Sequence, residues 1–349
     1  MITLNVAILG ASGYTGSELV RLLSRHPRVA IKALTADRKA GQAMADVFPQ
    51  FVHLDLPRLT TIAEVDLAEI DLVFCALPHG TTQNVIAELF AKKPDIKVVD
   101  LSADFRLADP AAYEQWYGHP HQALELQGEA VFGVSELNRA AIKTARLVAN
   151  PGCHSTTSIL PLVPLLRERL IEPDAISIVS ATGMSGAGRA AKEEMLFSEV
   201  SEGVHAYGVG KHRHTAELDQ EFDKVAGRVS RATFTPLLIP MNRGIYATIT
   251  VRLTGGATAE ALHAALATAY WGEPFVTVLP LGKAPQSRHV RGSNNVQIGV
   301  VADREPDKAI VLSTLDNLVK GASGQAVQNM NLVAGFDEIE GLEQLAVFP

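Results

Sequence analysis

Cys153 stands directly after Asn150-Pro151-Gly152 and opens an apolar run, "ANPGCHSTTSILPL" over residues 149–162. Proline and glycine turn the chain sharply, and the pattern that follows is helical. The thiol is therefore expected at a helix N-terminus, where the positive dipole end lowers a thiol's pKa and favours the nucleophilic thiolate. Pro161 and Pro164 lie inside the same run and predict a short or kinked helix. The second cysteine, Cys75, sits in the middle of "LVFCAL", where a small apolar residue would serve as well. A cysteine nucleophile needs an acid/base partner, and "KHRHTAELDQEF" offers His212 and His214. On a helix His214, Leu218, Phe222 and Val225 share one face, which should turn inward. His212 then points roughly the opposite way, and Glu217 is placed to orient the His214 ring. His214 is the expected acid/base.

A second constellation belongs to a cofactor. Gly10, Gly13 and Gly16 form "GASGYTG" after an apolar run and before a helical pattern, with Ser12, Tyr14 and Thr15 between them. Small residues let the backbone approach a pyrophosphate, and the helix N-terminus offers free N–H groups. The second apolar run ends in "LTADRK", which holds both Asp37 and the cations Arg38 and Lys39. An acid here reads the ribose hydroxyl of NAD and a base the 2′-phosphate of NADP; two adjacent cations favour NADP. Three arginines in turn-like settings, Arg106 in "SADFR", Arg189 in "SGAGR" and Arg243 in "PMNRGI", point to an anionic substrate.

These residues need a scaffold. In the first half, "NVAILG", "VAIKALT", "DLVFCALP" and "KVVDLS" alternate with "GSELVRLLSRH" and "TTQNVIAELFAK". Continuous apolar strands alternating with helices predict an α/β domain with a Rossmann-type parallel sheet. In the second half, "AISIVSATGM", "ATFTPLLIPM" and "GIYATITVRL" predict an α+β domain with a mixed, largely antiparallel sheet. The expected division is a cofactor domain over 1–150 and a catalytic domain over 151–313. The stretch from about 314 to 349 reads as helical again and could belong to either domain.

With 349 residues, a formal net charge of −7, 47% hydrophobic and 20% charged residues, the chain suits a soluble enzyme and not a general nucleic-acid binder. Two cysteines make no disulfide framework, so a reducing compartment is expected. The N-terminus reads as no secretory signal, and no run of about 18 apolar residues exists. No metal site is expected.

The motifs "GASGYTG", "ALPHG", "DLSADFR", "NPGC", "SGAGR", "KHRH" with Glu217 after it, "PMNRGI" and "DNLVKGASGQAVQNMN" run over essentially the whole chain. In them the sequence resembles the N-acetyl-gamma-glutamyl-phosphate reductases of arginine biosynthesis, relatives of the aspartate-semialdehyde dehydrogenases. The resemblance implies NADPH-dependent reduction of an acyl phosphate through a thioester on Cys153, with His214 as acid/base. It implies cofactor contacts from Ser12 to Gly16, at Pro78, at Ser185, Gly186 and Gly188, and at Asn317. It assigns Ser102, Arg106, Asn150 and Arg243 to substrate and phosphate. It further implies that the helix over about 314–349 packs back on the cofactor domain, and a cytoplasmic homodimer or homotetramer. The family often has Tyr-Pro after the cysteine, where this chain has His154-Ser155; His154 is either a competing local base or a tolerated change. Two other readings fit the same residues: a reductase of aspartyl or aminoadipyl phosphate, and a non-catalytic NADP-sensing protein.

Overall fold

The computed structural model describes residues 3–349. Met1 and Ile2, part of the stretch read for a secretory signal, lie outside the described residues. The chain divides into two units: residues 1–151 with 322–343, and 152–321 with 344–349.

The first unit holds an all-parallel sheet in the order β3-β2-β1-β4-β5-β7-β6. Its strands are β1 (Leu4–Leu9), β2 (Val29–Thr35), β3 (Leu59–Thr60), β4 (Leu72–Cys75), β5 (Lys97–Asp100), β6 (Val131–Phe132) and β7 (Leu147–Ala149). Strands β1 and β4 are almost wholly apolar because helices cover both faces of the sheet. Cys75 is fully buried on β4, and burial, then the neighbouring Asp100, push its thiol pKa well up.

The second unit holds a mixed sheet in the order β12-β13-β14-β11-β8-β10-β9. Its strands are β8 (Ile171–Gly183), β9 (His205–Ala206), β10 (Thr233–Ile239), β11 (Ile245–Leu253), β12 (Val276–Val278), β13 (Val296–Ala302) and β14 (Lys308–Leu315). β8 pairs with β10, and β12 with β13, in parallel; the other pairs are antiparallel.

The helix Cys153–Arg167 packs against β8, β11, β14 and the helices His214–Ala226 and Ala259–Ala269. It is not short: it runs 15 residues with Pro161 and Pro164 inside it. Every residue from His154 to Leu166 is buried, so tertiary packing overrides what the prolines forfeit in hydrogen bonding.

The expected helix from residue 314 is also corrected. Leu315 ends β14, residues 316–318 turn the chain, and helical structure begins only with the π-helical segment Val319–Ser323, which runs into the α-helix Gly324–Ala334. Residues 314–321 and 344–349 belong to the second unit, and only 322–343 to the first. Within the first unit this segment is tied down where Ser323 Oγ donates to Thr15 O at 2.9 Å and His26 meets Asn331 at 3.0 Å.

Candidate active site

In the second unit, Gly152 is the N-cap of the helix that begins at Cys153, with φ −70° and ψ 150°. Cys153 therefore occupies the first helical position, where the unsatisfied N–H groups and the dipole favour an anion. The helix His214–Ala226 brings its first residue to the same place. A Cβ built on Gly152 would lie 2.3 Å from His214 Nε2, so the imidazole sits directly on the nucleophile's cap. Gly321 also packs tightly on the nucleophile: a Cβ there would lie 2.8 Å from Cys153 Cβ.

Glu217 is fully buried one turn along. Its Oε2 accepts the Gly152 N–H at 2.9 Å, and its Oε1 is 3.9 Å from His214 Nε2. It is thus a tie on the cap first and an electrostatic partner of His214 second. Leu218 and Phe222 are buried below His214. His212, however, does not point away. The helix starts at His214, so helical spacing does not reach back to His212, and the two ring centroids are 4.6 Å apart. Gly208 and Gly210, both at positive φ, fold the preceding segment back and set Tyr207 edge-on to His212 at 5.3 Å.

His154 completes the cluster, with centroids 5.6 Å from His212 and 5.7 Å from His214. Burial, then His212, bring the His154 pKa down to about 3. Burial, then Arg213, bring His212 down to about 4. Both are neutral imidazoles at physiological pH. Sequence spacing missed Tyr207 and the packing of His154, because neither lies on a periodic face shared with Cys153.

Beyond β8, Ser185, Gly186 and Gly188 lie in and after a short helical turn, Met184–Ala187. Asn317 joins this loop to the β10–β11 turn: its Oδ1 accepts Gly244 N–H at 2.8 Å and its Nδ2 donates to Ser185 Oγ at 2.9 Å. Arg243 in that turn is 3.5 Å from Asp316. With Arg288 and Arg291, which the sequence reading did not single out, it lines a cavity of about 700 Å³.

In the first unit, Gly10 at φ +83° has no room for a side chain, since a Cβ would lie 2.3 Å from Ala76 O. A Cβ on Gly16 would lie 2.5 Å from Gly10 O. Ser12 is half-buried in the loop, and Gly13 caps the helix Tyr14–Leu23 with no side-chain hydrogen bond. The N–H groups of its first turn, including Tyr14 and Thr15, thus have no capping side chain. This cradle fits the pyrophosphate of a nicotinamide dinucleotide. Arg38 and Lys39 are exposed just after β2, and Pro78 is exposed just after β4.

Ser102, Arg106 and Asn150 are all buried and hydrogen-bonded. Ser102 Oγ donates to Asp100 at 2.7 Å. Arg106 donates to Asn150 O at 2.8 Å and Leu101 O at 3.0 Å. Asn150 donates to Ala322 O at 3.0 Å. Burial raises the Asp100 pKa to about 7 against the opposing Ser102 hydrogen bonds. Asp104 is held down at about 2: burial opposes this, but His79, Gly80 N–H and Thr82 together outweigh it.

A parallel-sheet unit with a glycine cradle, and a mixed-sheet unit with a cysteine at a helix start beside a histidine, define a nicotinamide-dependent dehydrogenase of the semialdehyde class. Two family models match: "Semialdehyde dehydrogenase, NAD binding domain" over residues 5–145, and "Semialdehyde dehydrogenase, dimerisation domain" over 153–317. The chain belongs to this family and, within it, to the N-acetyl-gamma-glutamyl-phosphate reductases. It is 64% identical over 344 residues to the protein of that name from Afipia carboxidovorans, covering 98% of each chain. It is 61% identical to the one from Rhodospirillum rubrum, covering 99% of each. A crystal structure of aspartate semialdehyde dehydrogenase with NADP from Candida albicans shares the fold, with a TM-score of 0.70 and 19% identity over 95% of this chain and 98% of that one. Among the described residues, no helix is long and apolar enough to cross a membrane.

Proposed function

We propose that the chain reduces N-acetyl-gamma-glutamyl phosphate to N-acetylglutamate 5-semialdehyde and phosphate in arginine biosynthesis, through a thioester on Cys153. The observation that carries the mechanism is the His214 ring seated on the cap of the helix that Cys153 begins. The Cys153 thiolate attacks the acyl carbon, and the C–O bond to phosphate breaks. His214 holds the proton released from the thiol and returns it when the thiolate is expelled at the end of the cycle. Glu217 fixes both partners by holding Gly152 N–H and lying beside the imidazole. A nicotinamide dinucleotide, when bound, supplies the hydride that takes the acyl group to the aldehyde level. Gly10 to Gly16 would hold its pyrophosphate, and Ser185, Gly186, Gly188 and Asn317 its nicotinamide end. Arg106, Asn150 and Ser102 serve the phosphate, and Arg243 the substrate.

NADP is the preferred dinucleotide, on the strength of Arg38 and Lys39 at the end of β2. The protein works as a homodimer or homotetramer, supported by the dimerisation-domain match. It acts in the cytoplasm, in keeping with two cysteines that form no disulfide. The test is phosphate-dependent NADP reduction with N-acetylglutamate semialdehyde and, in parallel, aspartate semialdehyde. Turnover confined to the first supports the reading, and turnover confined to the second overturns it.

A further inference from the structure

The second unit carries positive charge that the thioester chemistry does not use. Arg243, Arg288 and Arg291 line the cavity of about 700 Å³ together with Asn242 and Ser287, and among the described residues no acidic side chain lines it. The two contributing segments are packed on each other: a Cβ on Gly244 would lie 3.3 Å from Ser287 Cβ. The three cations differ in what they already hold. Arg243 is 3.5 Å from Asp316. Arg291 donates to Val347 O at 3.1 Å and to Pro349 O. Arg288 makes no hydrogen bond or ion pair among the described residues; its guanidinium stands 5.7 Å from the centre of the Phe348 ring. A guanidinium offers its N–H donors in a planar fork that matches a carboxylate, and three of them around one cavity favour an anion within it.

Asp316 sets this cavity in register with the nucleophile. The residue is fully buried. Its Oδ2 accepts Gly292 N–H at 2.7 Å, next to Arg291, and faces Arg243; its Oδ1 accepts the N–H groups of Leu318 and Val319. Its backbone oxygen accepts Gly321 N–H at 2.9 Å. One point, the Cβ position of Gly321, lies 2.8 Å from Cys153 Cβ and 3.3 Å from Asp316 O. The residue that anchors the arginines is therefore a near neighbour of the nucleophile. Its carboxylate is engaged by these bonds and is no partner for a ligand's ammonium group.

We propose that Arg288, with Arg243 and Arg291 beside it, binds the α-carboxylate of an N-acylated amino-acid substrate, and that this cavity selects against a free α-amino group. The inference rests on the chain acting on an acyl phosphate of that class. In such a substrate a short methylene chain separates the acyl carbon, at Cys153, from the α-carboxylate, at the arginines. An acylated nitrogen is neutral, so the carboxylate is the only charge at that end. A free amino acid brings an ammonium group that the guanidinium groups repel and that no acidic side chain of the cavity receives.

The first test reads binding without turnover, by calorimetric titration of the full-length protein with NADP present. The probes are N-acetylglutamine, which has an uncharged amide in place of the acyl phosphate; gamma-acetamidobutyramide, which is the same molecule without its carboxylate; and glutamine, which has a free amino group. Wild type should bind N-acetylglutamine at least about tenfold more tightly than either of the others, the size expected for one hydrogen-bonded charge pair. Arg288→Gln should weaken N-acetylglutamine about tenfold and leave gamma-acetamidobutyramide unchanged. Equal affinity of wild type for these two, or no measurable binding of either, overturns the proposal, as does an equal loss for both in Arg288→Gln. Glutamine bound as tightly as N-acetylglutamine overturns the selection against a free amino group. The second test separates carboxylate from phosphate, because phosphate-dependent oxidation of the semialdehyde takes them from different molecules. Arg288→Gln should raise the KM for the semialdehyde about tenfold and leave that for phosphate unchanged. A rise in the phosphate KM alone assigns the cavity to phosphate and overturns the proposal. Carboxylate-selective binding without turnover of N-acetylglutamate semialdehyde would instead refute the proposed reaction and leave the site standing.

Discussion

Gly152→Ala isolates the contact between the helix cap and the acid/base. The added methyl would lie 2.3 Å from His214 Nε2 and 2.6 Å from Cδ2 and Cε1. Carbon and nitrogen atoms rest at about 3.5 Å, so the ring must withdraw by roughly 1 Å. The backbone at Gly152, φ −70° and ψ 150°, is open to any residue, so the substitution strains no dihedral. Alanine is a poorer N-cap than glycine, which costs about 1 kcal/mol or less of stability. A displacement of about 1 Å of a catalytic group costs about 10²-fold in rate. Gly152→Ala should therefore fold with a melting temperature near wild type and lose about 10²-fold in kcat. Its KM for NADP should barely change, because the glycine cradle is untouched. The assays are thermal melting and phosphate-dependent semialdehyde oxidation followed by NADPH absorbance. A folded variant with kcat within about threefold of wild type would refute the argument that His214 must sit on this cap.

His214→Asn should lower kcat by about 10²–10⁴-fold and remove the limb of the pH–rate profile that belongs to the base. His212→Asn should lose much less and keep that limb; the profiles of the two variants decide between them. Arg38→Ala should raise the KM for NADPH and leave that for NADH nearly unchanged, as steady-state kinetics with each cofactor will show. Asp104 has a folded pKa of about 2, below the ordinary carboxylate value near 3.8. Its stabilisation is full above the unfolded pKa and is lost as pH falls through the folded one. Asp104→Asn should therefore cost about 2 kcal/mol at pH 7, and the difference from wild type should vanish as pH falls from 4 to below 2, measured by denaturant unfolding.

Strands that are apolar throughout were easiest to read. "VAIKALT" matches β2 residue for residue, and the runs around β1, β4, β5, β8, β10 and β11 were all visible as strands. The two-residue strands β3, β6 and β9 carry no periodic signal, because so short a pairing is decided by its neighbours. The helix beginning at Cys153 was read too cautiously because proline rules describe isolated helices, and this one is buried on every side. Only the start of the helix after 314 differs: "TLDN" continues an apolar pattern, while the Asp316 carboxylate accepts the N–H groups of Leu318 and Val319 and turns the chain before the helix begins at Val319. Within the site, Cys153, His214 and Glu217 were legible because turn chemistry and helical spacing mark them. His212 was misplaced because the helix starts two residues after it. Tyr207 left no trace in the sequence, since two positive-φ glycines and a buried histidine bring it in.

The central claim is the thioester at Cys153. It is tested most directly by mixing the protein with N-acetyl-gamma-glutamyl phosphate in the absence of NADPH, quenching in acid and mapping the peptides by mass spectrometry. One N-acetylglutamyl group should appear on the peptide carrying Cys153, be cleaved by hydroxylamine, and be released as the semialdehyde when NADPH is added before the quench. The Cys153→Ser variant should bind NADPH and turn over no substrate. An acyl group on any other residue, or NADPH oxidation by Cys153→Ser at an appreciable fraction of the wild-type rate, would contradict covalent catalysis at this cysteine.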